Sequence, residues 1–187
     1  YSIGYKFGTL VTILVSGPFF LIWDARRFVI ALDKEASIKY GKIFTYLLMA
    51  ASFVALGLTG LAQEIVSILA AKEYQGAHSI ISLVAWSYVF FALSSVVNIG
   101  LFVHKKTSIQ AVLILVCFVS NMLGNWLLIP CYGTHGAAFA TLVSFALLFV
   151  LNLAFSRKLI VIEFEKKKIL FLTIMICLAL IGLTNVA

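Results

Sequence analysis

The side chains able to do chemistry are few, and nearly all of them are neutral. After Lys106, the residues Gln110, Cys117, Asn121 and Asn125 recur at seven- and four-residue steps, which place them on one face of a helix. Ser87, Ser94 and Asn98 share a face in the same way, as do Thr141, Ser144 and Asn152, and Thr9, Thr12 and Ser16. Amides and hydroxyls in such stripes can hydrogen-bond a polar ligand, but they supply no general acid or base. Among the acids Asp24, Asp33, Glu35, Glu64, Glu73, Glu163 and Glu165, only Glu64 falls inside a long apolar segment. His78, His104 and His135 stand far apart, and none pairs with Cys or carboxylate at the spacing of metal ligands. Gly-rich phosphate loops and nucleophile elbows are both missing. Catalysis needs converging acid–base groups, so no catalytic residue, metal site or cofactor is expected, and the chain is not expected to be an enzyme.

The elements that must hold these residues follow from the charge pattern. Of 187 residues 63% are hydrophobic and 11% charged, against about 25% charged in a soluble domain. The mean hydropathy is +1.12. Charge is too sparse to cover a soluble fold, which excludes soluble enzymes, nucleic-acid-binding domains and disordered chains. Uncharged runs cover 7–23, 43–63, 74–103, 107–156 and 169–187. A helix of about 20 apolar residues crosses a bilayer, so an all-α, polytopic transmembrane bundle is predicted. Its spans are placed near 7–23, 43–71, 79–103, 107–130, 136–156 and 168–187. The run 107–156 is divided because one helix of that length would reach about 75 Å. Pro130, Gly133 and Gly136 mark the break. Pro18, after Ser16-Gly17, predicts a kink in the first span.

Basic residues set the orientation. Arg26, Arg27, Lys34, Lys39, Lys42, Lys105, Lys106, Arg157, Lys158, Lys166, Lys167 and Lys168 fall in alternate loops, twelve of the 14 Lys and Arg, leaving Lys6 and Lys72 on the other side. Cytoplasmic loops are enriched in Lys and Arg, so the twelve are expected in the cytoplasm. The net charge of +7 then points to anionic lipid head groups as partners, not to nucleic acid. In the segment 24–42, Phe28, Val29, Leu32, Ala36 and Tyr40 recur at helical spacing between charges. It is either an amphipathic cytoplasmic helix lying at the interface or a solvated extension of the neighbouring spans. Cys117, Cys131 and Cys177 suggest no disulfide framework. Tyr1 in place of Met and the uncharged end at 184–187 read as marks of a piece of a longer chain.

Amides inside a span turn toward protein or a water-filled cavity. Asn98, Asn121, Asn125 and Asn152 are therefore candidates to line a hydrated cavity, with interhelical hydrogen-bond glue as the other reading. Lys6 is either an interfacial anchor or a cation facing an anionic substrate. Glu64 is either a helix-end residue or a coupling acid.

The stretch NMLGNWLLIPCYGTHGAAFATLVS, residues 121–144, resembles the C-terminal half of polysaccharide flippases, in the superfamily that also holds multidrug exporters. The likeness lies in Asn121, Asn125, Leu128-Ile129-Pro130, Tyr132-Gly133, Gly136-Ala137-Ala138 and Ala140-Thr141. Glu64-Ile65, Tyr74 and Ala77, and the opening Tyr1 to Lys6, are similar to further segments of that family. The resemblance implies six spans of a two-lobed exporter with about 12–14, whose N-terminal half forms the other cavity wall. It also implies transport of lipid-linked oligosaccharide across a bacterial inner membrane for surface polysaccharides such as O-antigen, alongside other glycan-assembly proteins. The family uses cavity cations for the pyrophosphate, and Lys6 alone fits here. A cation-coupled multidrug exporter using Glu64 and a non-catalytic membrane scaffold are the alternatives.

Overall fold

The computed structural model describes residues 2–69 and 77–186, and the expectations that fall on Lys72, Glu73 and Tyr74 lie outside them. Among the described residues the fold is helical with no strand. The helices are α1 (Ser2–Gly8), α2 (Gly17–Ala31), α3 (Ala36–Gly60), α4 (Ala62–Leu69), α5 (Ala77–Val97), α6 (Ile99–Val103), α7 (Thr107–Ser156) and α8 (Lys166–Val186). Among the described residues four helical stretches are long and apolar enough to cross a membrane: Tyr5–Ala31, Ala36–Gly60, His78–Val103 and Thr107–Ser156.

Two of these stretches contain the predicted irregularities. Residues Thr12–Ser16 form a π-helical turn, and the Gly17 amide reaches back to the Thr12 carbonyl. Pro18 follows in the first turn of α2, where its missing N–H costs least. The widened turn upstream absorbs the ring and lets the helix continue. In α7, Gly133 adopts φ 56°, ψ −131°, a region that a Cβ strongly disfavours. There the chain folds back. Its ascending arm (107–132) and return arm (134–156) touch where Gly124 faces Ala140 and where Gly136 meets the Leu128 carbonyl so closely that a Cβ would stand 2.5 Å away. Small residues allow such approach, and in a bilayer close packing supplies most of the association energy.

Helix α5 is the centre. Ile81, Val84, Ala85, Val89, Ala92, Val96 and Val97 are buried in it, and it packs against α1, α3 and both arms of α7. Trp23 of α2 donates to the Ser95 carbonyl at 3.0 Å. The segment 24–42 forms no separate interfacial helix. Residues up to Ala31 continue α2, a tight turn follows, and α3 begins at Ala36, which is the second of the two arrangements expected.

All three basic loops lie at one end. Arg27 stacks on Phe102, Ser37 donates to the Val161 carbonyl at 2.7 Å, and the Gly100 amide donates to the Ser156 hydroxyl at 2.9 Å. At the opposite end Ser79 pairs with His135 at 3.2 Å and Gly60 approaches Leu183.

Candidate functional site

Between α5 and the two arms of α7 a cleft of about 480 Å3 runs from the basic end toward the middle of the bundle, a size in the range of small-molecule sites. Helix α5 contributes Phe91, Ser94 and Ser95, Asn98 stands at the break that follows it, and Phe102 comes from α6. The ascending arm contributes Gln110, Cys117, Phe118 and Asn121, and the return arm Thr141, Ser144 and Phe145. Tyr5 closes one side, its hydroxyl 3.1 Å from that of Tyr88.

Each polar group is placed by helical register. Asn98 lies at the break between α5 and α6 with ψ near zero (φ −78°, ψ −1°). Gln110 stands at the start of the ascending arm, one turn inside its first residues. They are only 8% and 6% exposed, and Asn98 Oδ1 and Gln110 Oε1 have no hydrogen-bond partner among the described residues. Asn121 holds the middle: its Nδ2 lies 3.5 Å from the Thr141 hydroxyl, and its Oδ1 accepts from Asn125 Nδ2 at 3.0 Å. The hydroxyls of Thr141, Ser144 and Ser94 donate to carbonyls of their own helices, so they keep lone pairs but not protons for a ligand.

The predicted residues separate. The structure brings Asn98 and Asn121 to the cleft wall and sets Asn125 one turn behind, bonded to Asn121. Asn152 is 0% exposed, away from the cleft, with both amide atoms unpartnered among the described residues. Lys6 is exposed and lines no described cavity. Glu64 lies in a different cavity of about 770 Å3 at the opposite end, with Gln63, His78, Ser79, Ser82, Trp86 and leucines of α7 and α8. Gln110 was legible as part of a polar stripe, yet only the fold shows that it lines the same cleft as Asn98. Tyr5 entered the sequence reading only as part of the opening Tyr1 to Lys6 segment, not as a candidate to line the cleft. No group of three or more His, Cys, Asp or Glu among the described residues could hold a metal ion.

Chemically, the cleft offers amides, hydroxyls and aromatic faces without a charged side chain on its wall. It can bind and orient a polar, uncharged group through these amides and hydroxyls. Fold and cleft together define a membrane-embedded helical protein. No protein-family model, curated protein or solved structure matches the chain.

Proposed function

We propose that this chain is the C-terminal part of a flippase that carries lipid-linked oligosaccharide across a bacterial inner membrane for surface polysaccharide synthesis. The observation that carries this reading is the joining of Asn98, Gln110, Asn121 and Thr141 along one cleft with phenylalanine faces between them. Amides hydrogen-bond sugar hydroxyls and aromatic rings pack on sugar faces, while the lipid tail stays in the bilayer. The motif over 121–144 supports it as well, since its two asparagines, its Gly133 turn and its Thr141 all bear on this cleft or its hairpin. With the basic loops in the cytoplasm, the cleft begins at the cytoplasmic side, where a lipid-linked glycan is completed. The N-terminal half would supply the facing wall, and glycan-assembly proteins would deliver the cargo.

The test uses cells that make a surface glycan and are depleted of the intact gene. Lipid-linked repeat units are quantified on each membrane face in spheroplasts with an impermeant sugar-modifying enzyme. Accumulation on the inner face, reversed by the wild-type gene, is the expected result, and unchanged sidedness with normal surface glycan would sink the proposal.

The placement of Glu64 in a cavity of its own favours one second reading, cation-coupled drug export. Retention of full efflux or flipping by Glu64→Gln removes it.

A further inference from the structure

Arg27 is held in a way that its ion pair does not explain. It sits in the penultimate turn of α2, and its backbone is pinned by the Tyr40 hydroxyl, which donates to the Arg27 carbonyl at 2.7 Å. Its guanidinium carbon lies 4.4 Å from the ring centroid of Phe102 and 5.0 Å from that of Phe28. Cation–π contact of this kind holds the planar group in place. The side chain is 18% exposed, whereas its carboxylate partner Asp24 is 61% exposed and touches it with a single oxygen, 3.3 Å from a terminal nitrogen. Such a one-point pair contributes little. Arg27 Nε is buried with no partner among the described residues. A guanidinium has five N–H donors in a rigid fork, and leaving one sealed and unpaired is costly.

An oxyanion arriving from the basic end would reach the terminal nitrogens of the fork, where the pair with Asp24 is weakest, while Nε stays sealed. It would accept from the fork in two places, displace or share the exposed Asp24, and lie against Phe102, which is itself part of the cleft wall. Lys105 and Lys106 follow Phe102 at the same end and add positive potential. At a membrane surface the oxyanion on hand is phosphate, whose geometry the guanidinium fork matches bidentately.

We propose that Arg27 is the core of a phosphate-binding site at the basic mouth of the cleft, taking the phosphate or pyrophosphate of a lipid. The source is either a prenyl pyrophosphate cargo or a bilayer phospholipid such as phosphatidylglycerol. The site does not depend on the flippase reading, since any phosphate-bearing lipid satisfies it.

The chain is reconstituted in neutral phosphatidylcholine nanodiscs and titrated with farnesyl pyrophosphate, binding being read as a rise in unfolding temperature. In parallel, unfolding temperatures are compared between phosphatidylcholine and phosphatidylglycerol nanodiscs. Arg27→Gln is expected to weaken the response by about tenfold in apparent affinity, the scale of one charge-assisted hydrogen bond. Arg27→Lys keeps the charge but loses the fork and should fall between. Asp24→Asn leaves Arg27 in place, removes the competing carboxylate, and should strengthen the response, so the proposal remains testable if Arg27→Gln fails to fold. Dependence on Arg27 in the farnesyl pyrophosphate arm assigns the site to cargo. Dependence only in the phosphatidylglycerol arm assigns it to bilayer lipid. Equal responses from wild type, Arg27→Gln and Asp24→Asn in both arms overturn the proposal, whatever the flipping assay returns.

Discussion

The two ends of the bundle are built by different means. At the basic end, polar ties join helices to one another and to the connections between them: Gly100 to Ser156 and Tyr40 to Arg27 between helices, Ser37 to Val161 and Lys39 to Asp33 between a helix and a connection. Phe164 adds an edge contact on Phe44 with centroids 4.9 Å apart. At the opposite end, among the described residues, the interhelical polar contacts include Ser79 with His135, and the cavity that holds Glu64 is lined by Gln63, His78, Ser82 and Trp86 together with leucines of α5, α7 and α8. The difference follows from what each end must solve. Three charged connections meet at the basic end, and their backbone groups are satisfied by neighbouring helices. At the other end, among the described residues, the two arms of α7 join directly at Gly133 with no intervening loop.

The largest effect that would break this comparison comes from one glycine. A Cβ on Gly41 would stand 1.9 Å from the Glu163 carbonyl oxygen. That atom is backbone, so the connection 157–165 must move, and the Ser37 bonds to Val161 and Glu163 are lost with it. Gly41→Ala is expected to destabilise the protein by about 3 kcal/mol, at the upper end of overpacking costs. Gly60, at the other end, would meet only the Leu183 side chain, at 3.4 Å, and Gly60→Ala should stay within about 0.5 kcal/mol. Thermal unfolding in detergent measures both. Equal losses would mean that the two ends are not built differently.

Next in size is the fate of the buried amides. Asn152 is sealed in the helical interface with neither amide atom paired among the described residues. Unpaired buried polar groups cost about 1–3 kcal/mol, so Asn152→Leu should raise stability by about 1 kcal/mol and leave transport intact. Asn98→Leu and Gln110→Leu alter the cleft wall and should lower transport instead. Loss of transport in all three variants would place the functional surface elsewhere.

A third test reads the same division through solvent. Cysteines replacing Asn98 and Asn121 should react with a small water-soluble thiol reagent from the basic side, and one replacing Asn152 should not. The native cysteines are first changed to Ala, Cys117 because it lines the same cleft and Cys131 and Cys177 because they are exposed.

How far this was legible in the sequence depends on the kind of residue. The helical class, the hairpin break between Pro130 and Gly136, and the gathering of basic loops at one end all follow from runs of apolar residues and the punctuation between them. Those are one-dimensional signals. The cleft is not one. Asn98, Asn121, Asn125 and Asn152 look alike in sequence, yet helix rotation sends two to the cleft, one behind it and one into a sealed contact. Rotation about the helix axis is set by packing of small residues such as Gly8 against Val84 and Gly100 against Ser156, and a single polar stripe does not specify it. Arg27 shows the same limit from the other side. It reads as one loop charge among twelve until Phe102 is seen beneath it.

The smallest effect concerns acid. In the turn between α2 and α3, Asp33 accepts from the Lys39 ammonium and from the Glu35 amide at 2.9 Å, and chiefly the Lys39 bond holds its carboxyl below the ordinary 3.8. Glu165, ahead of α8, is likewise held below 4.5, first by its bond from Lys168 at 2.6 Å. A carboxyl whose folded value is depressed adds stability above its unfolded value and loses it as pH falls through the folded one. The Asp33 side chain is 38% exposed and that of Glu165 22%, so water screens part of the gain. The unfolding temperature should therefore stay level down to about pH 5 and decline gently below about pH 4. Asp33→Asn and Glu165→Gln together should flatten that decline, because both ties act at the basic end. A decline that persists unchanged in the double variant would show that the acid-sensitive contacts lie outside these two loops, and the contrast between the ends would then owe nothing to their carboxylates.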